Sequence, residues 1–177
     1  MQTLDNSKIL FAKTKPEAII PSKREEDGAF DIYACFEEDH LIIDPHQTRM
    51  IPTGLASAFL PVYVAILKER GSTGSKGIGQ RCGVVDSGYR GEWFVPLTNH
   101  NNRPIVITKK PEMFEEDMPQ VFNYYCNNDF IVYPYSKGIC QCLMVEVPKL
   151  TVHEVTMEEL QSYESERGTG ALGSSGK

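Results

Sequence analysis

Apolar and polar residues alternate along most of this chain in short runs, the period-two pattern of half-buried strands. Ile9 and Phe11 alternate with polar neighbours ahead of a connection at Lys13–Pro21. Phe30–Ala34 predicts a second strand, entered through Asp27-Gly28, and Leu41-Ile42-Ile43 a third, ended by the Asp44-Pro45 turn signal. Arg49–Gly54 and Leu55–Leu60 predict strands around a Pro-Thr-Gly turn. Val62–Leu67 is rich in β-branched residues and reads as a buried strand. Val84-Val85-Asp86, Ser87-Gly88 and Tyr89–Val95 predict strand, tight turn and strand. Ile105–Thr108, Ile131–Tyr133 and Ile139–Val147 return to the same pattern. Lys110–Asn128 lacks a clear period and reads as an insertion, with a short helix expected at Phe114–Met118. Thr156-Met157-Glu158-Glu159 has the capping-box arrangement and opens a modest helical turn. Many short strands and almost no long helix predict an all-β barrel or sandwich.

Composition narrows the class of function. The 177 residues are one domain's worth of chain, and 41% hydrophobic with 24% charged residues is ordinary for a soluble globular protein. A net charge of −6 argues against a protein that coats nucleic acid, which would carry a basic stripe. It leaves room for a small anionic substrate, because a few clustered Arg and Lys set the field inside a pocket. No apolar run approaches membrane-spanning length and the N-terminus has no signal pattern, so no membrane partner and a cytoplasmic location are expected. Cys35, Cys82, Cys126, Cys140 and Cys142 are odd in number and scattered, which reads as reduced thiols. Cys140-Gln141-Cys142 has no second Cys or His pair at ligand spacing and reads as alternating strand residues.

Three stretches carry candidate chemistry. Lys68–Gly77 holds an Arg, glycines, three hydroxyls and Lys76 in one loop, able to bind phosphate oxygens through side chains and backbone amides, or to be a plain surface turn. Gly83–Glu92 puts Asp86 at the mouth of a tight turn with Tyr89 three residues on; Asp86 could hold a water or simply form the turn. The tail from Ser165 to Gly176 sets Arg167 before a run of Gly, Ser and small residues, either a phosphate wrap or a mobile end.

Taken together these stretches resemble the homotrimeric dUTP pyrophosphatase (dUTPase) family, whose five motifs occur here in order. Asp27-Gly28-Ala29-Phe30-Asp31-Ile32-Tyr33-Ala34 resembles the first, Arg70–Ile78 the second and Gly83–Glu92 the third. Gly138-Ile139-Cys140-Gln141 is similar to the fourth and Arg167–Gly176 to the fifth. The resemblance implies a dUTPase-like distorted β-barrel or jelly roll (β-clip), a homotrimer with C-terminal arm exchange. It divides the chain into a β-barrel domain over 1–160, with an insertion around 100–135, and a flexible Gly-rich arm over 161–177.

By the same resemblance the activity is Mg2+-dependent hydrolysis of dUTP to dUMP and pyrophosphate, which keeps uracil out of DNA and supplies dUMP for dTMP synthesis. Asp86 is implied as the general base. Asp31 and Gln141 are implied to hold waters of a Mg2+ carried by the substrate phosphates. Arg70, Gly71, Ser72 and Gln80 are assigned to the substrate, with Arg70, Ser72 and the loop amides on the phosphate chain. The Val84–Tyr89 stretch, with Val85 inside it, offers backbone groups to the uracil edge, and Tyr89 packs on the deoxyribose. Arg167, Leu172, Gly173 and Ser174 are implied to close over the γ-phosphate and base from a neighbouring subunit. Three positions depart from the family pattern: Leu172 replaces a usual Phe, Gly138 a usual Arg, and Gly71 a common Ser. Two other readings stay open, a dCTP deaminase-like enzyme of the same fold and a nucleotide-binding regulatory module. The 100–135 segment reads either as a docking element for a regulatory protein partner or as a surface elaboration contacting its own trimer.

Overall fold

Strand follows strand through the computed structural model, which describes residues 4–5, 7–81, 83–110, 112 and 130–169. Contacts divide the chain into two units, Met1–Val147 and Pro148–Lys177. The first carries β1 (Leu10–Lys13), β2 (Phe30–Ile32), β3 (His40–Ile43), β4 (Thr48–Pro52), β5 (Leu55–Ala58) and β6 (Tyr63–Lys68). A single helical turn, α1 (Gly71–Gly74), then precedes β7 (Ile78–Gln80), β8 (Val84–Val85), β9 (Phe94–Asn99), β10 (Ile105–Thr108), β11 (Ile131–Pro134) and β12 (Cys140–Glu146). The all-β class expected from the alternating pattern is the one observed.

These strands form sheets of order β1-β5, β11-β10-β3, β2-β12-β6-β8 and β4-β9-β7. All pairings are antiparallel except β10 with β11, which run parallel from Ile105 opposite Ile131 to Thr108 opposite Pro134. Parallel neighbours need a crossover rather than a hairpin. The long connection therefore joins two strands, ending at Thr108 and starting at Ile131, that are themselves paired. Its expected helix at Phe114–Met118 lies outside the described residues.

The core collects the inward face of each sheet: Ile32, Ile51, Leu55, Phe59, Trp93, Ile105, Tyr133 and Ile139 are each at most 1% exposed. Burying one such aliphatic or aromatic side chain contributes about 1.5–3 kcal/mol. On β12 the period-two rule separates two roles, since Cys140 and Cys142 are fully buried while Gln141 between them is half-buried.

Two details differ from the sequence reading. The stretch Val84–Val95 does not fold back on itself as paired strands. Asp86–Tyr89 is indeed a turn, closed by the Tyr89 N–H donating to the Asp86 carbonyl at 3.1 Å. Its two arms, however, belong to different sheets. The Gly83 carbonyl accepts from Leu67 N–H at 2.7 Å and commits β8 to β6, whereas β9 runs between β4 and β7, with Phe94 opposite Pro52 and Leu97 opposite Gln80. A Cβ at position 83 would lie 2.6 Å from the Leu67 carbonyl oxygen, so this approach requires glycine. The stretch Lys68–Gly77, read as a loop or surface turn, contains the α1 turn.

Within the second unit α2 (Met157–Ser162) starts at Thr156, whose Oγ1 accepts from Glu159 N–H at 3.1 Å. This is the cap that the Thr-x-x-Glu pattern predicts.

Candidate functional site

The four-stranded sheet sets three of the assigned residues side by side. Gln141 on β12 faces Asp31 of β2 on one side and Lys68, the last residue of β6, on the other. Two residues past Lys68, Arg70 turns the chain into α1. Asp31, Arg70, Gly71, Ser72 and Gln141 therefore line one cavity of about 800 Å3, although their motifs lie far apart in the chain.

Arg70 is fixed at four points. Its Nε lies 2.9 Å from Asp31 Oδ1 and its Nη2 donates to Asp31 Oδ2 at 3.0 Å, a two-point fork. Its Nη1 donates to the Gly138 carbonyl at 3.0 Å and to Ser72 Oγ at 3.3 Å. The turn below is closed by Thr73, buried at 1% exposure, whose Oγ1 donates to the Arg70 carbonyl at 2.9 Å and accepts Arg70 N–H at 3.1 Å. Gln141 Nε2 donates to the Glu69 carbonyl at 2.9 Å, which leaves Oε1 as its atom for a ligand. Burial pushes the Cys142 thiol behind it up to about 12, and Cys140 higher still, so neither is a nucleophile at neutral pH.

Position 138, read from the sequence as a departure from a usual Arg, lies directly against the Asp31–Arg70 pair. A Cβ there would sit 3.3 Å from Asp31 Cβ and Cγ and 3.4 Å from Arg70 Cδ. Its carbonyl accepts from Arg70 and also from Tyr133 Oη, at 2.6 Å.

The far wall of the cavity comes from the loop ahead of β2, which the sequence reading did not assign to the site. Lys23, Arg24 and Asp27 line it. Lys23 Nζ donates to the Asp27 carbonyl at 2.7 Å, and Arg24 grips Asp27 through Nε at 2.9 Å and Nη2 at 3.0 Å. The Arg24 guanidinium holds the Asp27 carboxyl below its ordinary value. The signal for this loop was a run of charges, which more often marks a solvated surface.

Val84, Val85, Asp86 and Tyr89 form a second group on the edge strand β8 and its turn. Asp86 is exposed, and Val84 and Tyr89 are 68% and 47% exposed. Tyr89 Oη donates to the Glu92 carbonyl at 3.0 Å, laying the ring across Gly91. Arg90 braces the turn, its Nη1 donating to the Ser87 carbonyl at 2.6 Å and the Ser57 carbonyl at 3.3 Å. Neither Arg90 nor Glu92 was singled out from sequence. Val85 pairs with Ala65 and Ala65 with Met144, three residues along β12 from Gln141. At about 3.3 Å per residue and two strand spacings of about 4.8 Å, Val85 and Gln141 are on the order of 14 Å apart. One chain thus presents the Asp31 group and the Asp86 group as separate places. Gln80 stands apart from the cavity, on β7, where its N–H donates to Glu69 Oε1 at 3.3 Å.

Arg167 lies in the second unit, where its N–H donates to Ser165 Oγ at 3.3 Å. Leu172, Gly173 and Ser174 lie outside the described residues, as do residues 113–129 on which a docking role for the 100–135 segment would rest.

Among the described residues no group of three or more His, Cys, Asp or Glu could hold a metal ion. The paired Asp31 and Gln141 offer one carboxylate and one carboxamide oxygen at the cavity. Such a hard-oxygen pair fits a magnesium ion that keeps its waters and takes its direct ligands from phosphate. No helix among the described residues is long and apolar enough to cross a membrane.

Comparison with known proteins points the same way. The dUTPase family model matches residues 15–112. The deoxyuridine 5'-triphosphate nucleotidohydrolase of Neisseria meningitidis serogroup C is 36% identical over 93 residues, which cover 50% of this chain and 61% of that protein. The chain thus spans about three-fifths of the length of that relative. The enzyme of the same name from Leptospira interrogans is 31% identical over 104 residues, 56% of this chain and 71% of that one. In structure, a mutant dUTPase of Staphylococcus bacteriophage 80alpha with dUpNHpp superposes at a TM-score of 0.70, with 17% identity, covering 96% of this chain and 98% of that chain.

Proposed function

The chain belongs to the dUTPase family, and on that premise we propose that it is a dUTP diphosphatase, hydrolysing dUTP to dUMP and pyrophosphate with Mg2+. The observation that carries the reading is the convergence of Asp31, Arg70, Ser72 and Gln141, from three separate motifs, on one polar cavity. The dUpNHpp held by the phage 80alpha enzyme, a deoxyuridine triphosphate with a bridging NH, supports a ligand of the same class.

In this proposal Arg70, Ser72 and the Gly71 and Ser72 amides bind the phosphate chain. Asp31 and Gln141 hold waters of a Mg2+ that neutralises phosphate charge when bound. Asp86 accepts a proton from a water as its oxygen bonds to the α-phosphorus; the bond from that phosphorus to the bridging oxygen breaks, and pyrophosphate leaves with the electron pair. Backbone groups at Val84 and Val85 read the uracil edge, and Tyr89 covers the sugar. Cytosine offers the opposite donor and acceptor pattern at two positions, which sites of this kind reject by roughly 10^4-fold.

The separation between the Asp86 group and the Asp31 group supports a homotrimer in which neighbouring subunits complete each site. The arm from Arg167 through Leu172, Gly173 and Ser174 then closes over the γ-phosphate and base bound at a neighbour.

Pyrophosphate release tests this directly, with dUTP beside dTTP, dCTP and UTP, each with and without Mg2+. The expected result is release from dUTP alone, and only with Mg2+. Equal consumption of dTTP, or ammonia from dCTP, would overturn it.

A further inference from the structure

The cavity Arg is held from behind by a residue that no motif contains. Tyr133 is 1% exposed, and its hydroxyl donates at 2.6 Å to the Gly138 carbonyl. That same carbonyl accepts from Arg70 Nη1 at 3.0 Å. We propose that Tyr133 is a positioning residue for Arg70, acting through Gly138, and that it sets affinity for the phosphate chain without touching the substrate. The proposal rests on the phosphate-binding reading of Arg70 given above.

A carbonyl oxygen has two lone pairs, and here both are used, one by the phenol and one by the guanidinium. The phenol fixes the direction in which the carbonyl points, and the carbonyl fixes the edge of Arg70 that Asp31 does not hold. A side chain at position 138 would press on Asp31 Cβ and Cγ at 3.3 Å and meet Arg70 Cδ at 3.4 Å, so the glycine stands directly beside the pair it helps to present. Tyr133 also belongs to a different sheet. It lies on β11 opposite Ile107, whereas Asp31 and Gln141 lie on paired β2 and β12. Its hydroxyl therefore joins the β11-β10-β3 sheet to the residues that present Arg70. A ring serving the core alone would need no hydroxyl, since burying one is unfavourable unless it finds a partner.

Tyr133→Phe keeps the ring and removes that one bond. The readouts are kcat and KM for dUTP, together with dissociation constants for dUpNHpp and for dUMP, which lacks the β- and γ-phosphates. The expected outcome is KM and the dUpNHpp constant raised about five- to tenfold, the scale of one buried hydrogen bond. The dUMP constant and kcat stay within about twofold, because sugar, base and Asp86 are untouched. A merely structural role would weaken dUMP and dUpNHpp in equal proportion, and that result overturns the proposal. So does an unchanged dUpNHpp constant. If the unsubstituted chain hydrolyses dUTP while Tyr133→Phe matches it throughout, only this inference falls. A chain that neither hydrolyses dUTP nor binds dUpNHpp removes the proposed function as well.

Discussion

Asp31 and Arg70 grip each other at two points, 2.9 and 3.0 Å, with side chains only 33% and 26% exposed. Each is thereby the other's counter-charge inside a polar cavity. Arg70→Lys replaces a planar fork with a single point charge on a flexible stem. The expected outcome is at least about a tenfold rise in KM for dUTP, the worth of a charge-assisted bond. Steady-state kinetics check it, and an unchanged KM would contradict the phosphate assignment.

Asp86 is assigned to chemistry rather than affinity. Asp86→Asn keeps the shape and removes the base, so kcat should drop by about 10^2–10^4-fold while dUpNHpp still binds within a few-fold. Single-turnover kinetics beside a binding titration separate the two quantities. Full turnover in the variant would require another base.

Truncation ahead of Arg167 should strongly lower the rate and leave the oligomer intact, since the arm is assigned to the substrate and not to holding subunits together. Light scattering gives the mass and pyrophosphate release gives the rate. A truncated chain with full activity would contradict the role given to Arg167.

Much of this is legible in the sequence, and what escapes it is of one kind. Strand positions follow from alternation, which is local: Gln141 between Cys140 and Cys142 is half-buried between two buried neighbours. Pairing is not local. Nothing near Val84 says that it joins β6 while Phe94 joins β4, because the choice rests on Leu67 and Pro52, distant in the chain. The motifs found Asp31, Arg70 and Gln141 but not the bond between the first two. Tyr133, inside Ile131-Val132-Tyr133-Pro134, reads as an ordinary core aromatic until its hydroxyl is seen on Gly138.

The thiols supply a pH test. Burial raises Cys142 from 9.0 to about 12 and Cys140 further, so the folded chain keeps both protonated where the unfolded chain would ionise them. Stability from this source is complete below about pH 9 and is lost as pH climbs from there. Thermal midpoints at about pH 8 and about pH 10 should fall in that order. At the lower pH, alkylation followed by peptide mass spectrometry should leave Cys140 and Cys142 unmodified until denaturant is added. Rapid native labelling of either would mean that β12 opens readily.

The parallel run of β10 beside β11 has a consequence for how such a chain can diversify. A tight hairpin would have dictated a loop of two to five residues and punished any change. Parallel neighbours allow no such turn, and in general each doubling of a connection's length adds only about 0.6 kcal/mol of closure entropy. The architecture tolerates extra sequence between Thr108 and Ile131 cheaply, so that stretch can acquire or shed whole segments while the register of the two flanking strands stays as it is.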